Sequence, residues 1–176
     1  MRSFLIEEID RWFDQVTAGE KILLSGTVYT ARDAAHKRMS KAIEDGSALP
    51  FSLDGTAIYY AGPTPAKEDL PIGSCGPTTS SRMDPYMPTF TRLGLRCTIG
   101  KGDRAPYVYK AMAGKAIYLC AIGGAGALCA RSVKEATVVA YDDLGCESVK
   151  RLVIENMPLY VAIDARGSSI FGGDKQ

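Results

Sequence analysis

Gly73-Ser74-Cys75-Gly76-Pro77-Thr78-Thr79-Ser80-Ser81-Arg82-Met83-Asp84-Pro85-Tyr86 packs three chemical devices into one short segment. Gly73, Gly76 and Pro77 force a tight backbone course that neither a helix nor a strand interior tolerates. Thr78, Thr79, Ser80 and Ser81 line up four hydroxyls, with Arg82 directly behind them. Asp84-Pro85 reads as a helix N-cap followed by proline at the first helical position. A helix start would set free backbone N–H groups and a positive dipole end beside the hydroxyls and the guanidinium. Together these devices suit a small anion, above all a carboxylate. A Ser/Thr-rich loop before a helix is the plainer reading of the same composition, so the flanking segments have to decide.

Upstream, residues 20–29 read as a bulged strand or strand pair, with Gly26 at the bulge. The chain then reaches Thr30-Ala31-Arg32-Asp33, where Asp33 can cap a helix running to about residue 45. Arg32 thus stands at a strand-to-helix junction. Taken alone, Arg32-Asp33 is an ordinary surface pair plus a cap, and His36, the single histidine, is an ordinary structural residue on that helix. Residues 53–62 form a turn and a buried strand ending at Gly62-Pro63. Downstream, a short helix at 85–93 ends on Gly94 as a left-handed cap. A strand at 95–99 leads into Gly100-Lys101-Gly102, where two glycines let the backbone come close to an anion and the lysine fixes the charge. No GxxxxGK[ST] pattern surrounds that trio, so nucleotide binding is rejected.

Residues 106–113 read as a helix and 115–122 as a central buried strand. Gly123-Gly124-Ala125-Gly126 fails the dinucleotide template and reads as close packing before a short helix at 127–131. Strands follow at 137–141 and 159–164, with a segment at 147–155 that begins helical and finishes extended, and a frayed end at 172–176. At the amino end, Leu5, Ile9, Trp12, Phe13 and Val16 recur at helical spacing and predict an amphipathic helix over about 3–17. Several strands with interspersed helices and glycine-rich strand ends make one α/β layered domain over 1–176.

Hydrophobic residues at 46% and charged residues at 23% are ordinary for a globular chain. A net charge of +1 gives no bulk electrostatic case for nucleic acid or an anionic membrane. No apolar run approaches a membrane span, and the first residues do not fit a signal peptide, so the cytoplasm is expected. The five cysteines at 75, 97, 120, 129 and 146 include no CxxC pair. Their spacing supports neither disulfide staples nor a metal site, and no metal ligand is assigned.

Residues 76–84 closely resemble the GPTTSxRM(D/E) segment of the C-terminal domain, or β subunit, of iron-sulfur hydro-lyases, the class I fumarases and L-tartrate dehydratases. Three further segments match in order. Residues 26–38 resemble an (R/C)RD-x-x-H-(K/R)-R pattern after a short strand, Ala61-Gly62-Pro63 an AGP turn, and residues 100–102 a GKG trio. The resemblance runs from about residue 20 to 171 and implies a swivelling β/β/α fold. It implies that Arg32, Arg82 and Lys101, with Thr79, bind substrate carboxylates, and that Thr78 takes part in proton transfer. A neutral threonine is a poor base, which makes Asp84 the nearest candidate helper.

A [4Fe-4S] cluster is implied on a partner α subunit or N-terminal domain, with this chain as one half of a hetero-oligomer. Fumarate and L-malate are the expected substrates, because the residues around Asp84 and 141–149 look more like fumarase. L-tartrate is the alternative within the family. The alternative from another class is a small-anion binding module that needs no cluster.

Overall fold

A computed structural model of the chain describes residues 1–66, 70–121 and 126–172. The elements are β1 (Arg2–Leu5), α1 (Ile9–Trp12), β2 (Lys21–Thr30), α2 (Asp33–Glu44), β3 (Ala57–Tyr59), α3 (Met87–Arg92), β4 (Cys97–Gly100), α4 (Pro106–Met112), β5 (Ile117–Cys120), α5 (Gly126–Ser132), β6 (Val133–Ala140) and β7 (Val149–Ile163). Tight 3-10 turns at Ile6–Glu8, Ser80–Tyr86 and Asp142–Glu147 join some of them. Residues 123–125 of the expected glycine loop, Ile122 of the expected strand and residues 173–176 of the expected frayed end lie outside the described residues.

The architecture is mixed α/β, and its sheet closes into a small barrel. Strands β2, β3, β4 and β5 run parallel in that order. The long β7 lies antiparallel to β2 through residues 150–160 and to β5 through 160–163, which closes the ring. A strand that serves both neighbours must bend. Gly26 sits at a register shift with φ +112°, and Asn156 on β7 has φ +50°; such irregularities increase local bend and twist. The apolar side chains divide between two clusters. Ile22, Leu24, Val28, Tyr59, Ile99, Leu119, Ile154 and Leu159 form the enclosed cluster. Ile58, Tyr60 and Tyr118 join the second, against Met39 of α2, Phe90 of α3 and Met112 of α4.

Two expectations about helices change. Residues 2–5 form a strand instead of the start of a helix, and only Ile9–Trp12 is α-helical in that region. The reason lies in β2: β3 pairs only with Tyr29 and Thr30, so residues 22–25 would keep a free edge, and β1 fills it in parallel register. Phe4 stacks on Trp12 at 4.5 Å, and Trp12 Nε1–H donates to the Leu5 carbonyl at 2.8 Å, tying the strand to its single helical turn. The segment 147–155, expected to begin helical, keeps only Glu147 as the closing residue of a 3-10 turn and is strand from Val149 onward, because it pairs with both β2 and β6. Gly94 ends α3 as expected. Its φ is +94°, with Gly94 N–H bonded to Thr91 O and Leu95 N–H to Phe90 O.

Candidate active site

The carboxyl ends of parallel strands are where open α/β sheets place their ligands. Here Arg32 follows β2, Gly62 follows β3 and Lys101 follows β4. The loop 77–82 crosses these ends and extends the sheet. Pro77 bridges Ala61, Thr78 N–H donates to Tyr60 O at 2.7 Å, and Thr79 bridges Lys101 in parallel. Ser80 N–H donates to Lys101 O at 3.0 Å, and Ser80 Oγ accepts from Lys101 N–H at 3.1 Å. The structure therefore sets Thr79 beside Lys101, with Thr78 next to it on the end of β3's extension.

The four hydroxyls do not act alike. Ser80 is buried, while Thr79 and Ser81 are exposed and Thr78 lies between these extremes. Gly100 makes the Ser80 position available, because a Cβ there would overlap Ser80 Oγ and stand 3.0 Å from the Tyr60 ring. The expected helix start at Asp84-Pro85 is replaced by a 3-10 turn over Ser80–Tyr86 with Thr79 at its N-cap. Asp84 caps nothing. Its carboxylate is turned inward, 2% exposed, and accepts from Arg104 Nε at 2.5 Å and from Ala105 N–H at 2.7 Å. Both carboxylate oxygens of Asp84 are thus engaged by residues 104–105.

Arg32 and Arg82 each meet a carboxylate of the chain. Arg82 makes a two-pronged pair with Asp33: Nε donates to Oδ1 at 2.9 Å and Nη2 donates to Oδ2. Those bonds hold the Asp33 carboxyl below its ordinary range and raise Arg82 above its own. Arg32 Nε lies 3.4 Å from Glu147 Oε1 and is buried without a hydrogen bond among the described residues. Gly62 makes room for that guanidinium, since a Cβ would stand 2.6 Å from Arg32 Nη1. Lys101 is exposed and has no ion pair among the described residues.

His36 is structural. It is 1% exposed, stacked on Phe90 at 5.3 Å, and its Nδ1–H donates to the Arg32 carbonyl at 2.9 Å. Burial pushes its pKa down to about 4, so the ring is neutral. It anchors the backbone of Arg32. Asp33 also differs from its expected role: it is the first residue of α2, with Arg32 at the cap position and no side-chain cap bond.

Sequence reasoning missed Glu147, Arg104 and Tyr118. Glu147 follows an unremarkable Gly-Cys pair, and its relation to Arg32 depends on the long return of β7. Arg104 lies two residues beyond the glycine-lysine-glycine trio, and that nearness was its only signal.

The described geometry is that of an α/β barrel presenting two arginines, a lysine and a hydroxyl pair at its strand ends. The sequence model of the family described as Fumarase C-terminus matches residues 3–173, and the chain belongs to that family. It is 37% identical over 164 residues to a putative L(+)-tartrate dehydratase subunit beta of Methanocaldococcus jannaschii, covering 89% of this chain and 84% of that one. It is 32% identical over 167 residues to the L(+)-tartrate dehydratase subunit beta of Escherichia coli, covering 92% and 82%. Fumarate hydratase 2 of Leishmania major is 34% identical over 169 residues, covering 94% of this chain but 30% of that protein. The chain thus spans under a third of the fumarate hydratases it matches and over four-fifths of the β subunits.

Proposed function

We propose that the chain is the β subunit of a two-subunit hydro-lyase that interconverts fumarate and L-malate, and that its barrel is the swivelling β/β/α domain of that enzyme. The observation that carries this reading is the pair of coverages: near-complete overlap with separate β subunits, and overlap with only one part of larger fumarate hydratases. An α subunit is the implied partner.

Hydration of a dicarboxylate alkene must hold two carboxylates and move a proton at carbon. Arginine suits the first task because its planar fork gives two parallel charge-assisted bonds. In this proposal Arg82, steadied by Asp33 through Nε and Nη2, offers Nη1 to one carboxylate. Arg32 and Lys101 serve the other, with Thr79 as a hydroxyl donor. Thr78, half-buried and one residue before the Thr79–Lys101 bridge, is assigned to proton transfer. Asp84 is not its helper, because Arg104 and the Ala105 amide already hold that carboxylate.

Among the described residues, no set of side chains is arranged as ligands for an iron-sulfur cluster: no group of three or more His, Cys, Asp or Glu is placed to hold a metal ion. Cys75, Cys97 and Cys129 are buried, and burial pushes the Cys75 thiol up to about 12 and raises the other two, the reverse of what a thiolate ligand needs. We assign the [4Fe-4S] cluster to the α subunit.

A second reading, the β subunit of an L-tartrate dehydratase, is favoured by the names of the relatives of matching length. Comparing kcat/KM for fumarate and L-tartrate in the assembled enzyme separates them. Tartrate carries an extra hydroxyl, and a pocket without a partner for it leaves that group buried and unsatisfied. A higher kcat/KM for fumarate is expected, and a higher value for tartrate moves the chain to the second reading.

A further inference from the structure

Beneath the candidate site lies a polar network that the proposed chemistry does not use. Arg104 and Asp84 form an ion pair whose side chains are 0% and 3% exposed. Asp84 stands two residues after Arg82, and Arg104 stands three residues after Lys101, so the pair joins the roots of the two loops. Asp84 grips the second loop twice, through Arg104 Nε and the Ala105 amide. Arg104 is fixed in turn: Nη1 donates to Thr98 Oγ1 on β4 at 3.3 Å, and the guanidinium carbon lies 5.0 Å from the Tyr118 ring centre and 5.5 Å from that of Tyr60. Its Nη2 is buried with no partner among the described residues.

A second link runs through Tyr118 of β5. Its hydroxyl lies 2.8 Å from both Ser80 Oγ and the Gly102 carbonyl, and the same Ser80 Oγ accepts the Lys101 amide. A buried ion pair is a poor device for stability, since well-packed apolar residues serve as well or better, and an unpartnered donor makes this one poorer still. What it does supply is a fixed geometry between two loops that are also joined by the short ladder at residues 79–80 and 101 and by the Tyr118 hydroxyl.

We infer that the Asp84–Arg104 pair and the Tyr118 hydroxyl form a buried clamp that sets the 77–82 loop against Lys101, making Arg104 and Tyr118 positioning residues for the site above them. Their link to turnover rests on the hydro-lyase reading. The clamp itself does not, because it is a statement about how two loops are held. Thr78 and Arg82 ride on one side of it and Lys101 on the other, so loosening it changes the spacing between proton transfer and carboxylate grip. Each grip survives singly, and the chemical step suffers more than binding does.

The test uses Tyr118→Phe, which keeps the ring beneath Arg104 and removes only the hydroxyl, and Arg104→Lys, which keeps the charge and removes the fork. Amide hydrogen exchange is read in the full chain. The Ser80 and Lys101 amides should exchange at least about tenfold faster in Tyr118→Phe, while that of Leu119 on β5 keeps its wild-type rate. Unchanged exchange at Ser80 and Lys101, or acceleration spread evenly over the sheet, overturns the clamp. In the assembled enzyme, kcat for fumarate should fall at least about tenfold in both variants with KM within about threefold of wild type. Wild-type kcat in folded Tyr118→Phe overturns the positioning role. If the wild-type complex turns over no dicarboxylate, the hydro-lyase reading fails and the exchange result still decides the clamp.

Discussion

Replacing Arg82 by lysine separates its two interactions. Its pair with Asp33 is at the surface, with side chains 49% and 39% exposed. Pairs of that kind contribute about 0.2–1 kcal/mol and weaken with salt. Lysine keeps the charge and part of that attraction, so the loss should stay under about 0.5 kcal/mol, a change of about 1–2 °C in melting temperature for a chain of this size. An ammonium cannot hold both Asp33 oxygens and at the same time present a fixed, planar N–H to a substrate carboxylate, as Nε, Nη2 and Nη1 of the guanidinium do. Loss of that arrangement should lower kcat/KM at least about tenfold, which is about 1.4 kcal/mol of transition-state stabilisation. The assay is steady-state hydration of fumarate by the chain assembled with its α subunit, with thermal melting of the same preparations alongside. Near-wild-type melting with a tenfold or greater kinetic loss places Arg82 at the substrate. Wild-type kinetics with malate and fumarate in Arg82→Lys would remove it from the site.

Two further outcomes follow from the packing. Gly100→Ala drives a Cβ onto Ser80 Oγ and to 3.0 Å from Tyr60, so it should destabilise by about 1–3 kcal/mol, read as a lower denaturant midpoint; an unchanged midpoint contradicts the close approach. His36 has a folded pKa of about 4, below its ordinary 6.5, because burial disfavours the charged ring. The unfolded chain therefore binds the extra proton between those values, and stability present above pH 6.5 is lost as pH falls toward 4, by up to about 3 kcal/mol. His36→Gln should flatten that part of the pH profile, and an unaltered slope there contradicts the assignment.

Much of the site's framework is legible in the sequence because its signals are local. A strand that turns into a helix at Arg32-Asp33, a strand that ends on Gly100-Lys101-Gly102, and Gly-Pro turns at Gly62-Pro63 and at the start of the central loop need only neighbouring residues to be read. Gly26 and Gly94 likewise announce a bulge and a helix end through backbone conformations that few other residues adopt. Long-range pairing hid the rest. Residues 2–5 look helical by spacing, yet the free edge of β2 makes them a strand. Asp84 before proline looks like a cap, and nothing within several residues reveals that Arg104 claims its carboxylate. Glu147 reaches Arg32 only because β7 runs back along the whole of β2. Charges that face one another across a barrel leave no periodic trace in the chain.

The most direct measurement of the central claim mixes the purified chain with the proposed α subunit. The chain alone, reconstituted anaerobically with iron and sulfide, should hold no stable cluster and should not hydrate fumarate. Adding the α subunit should give both cluster and turnover, and exposure to oxygen should abolish the turnover as the cluster is destroyed. Hydration of fumarate by the isolated chain without iron would contradict the assignment of this chain as one half of the enzyme.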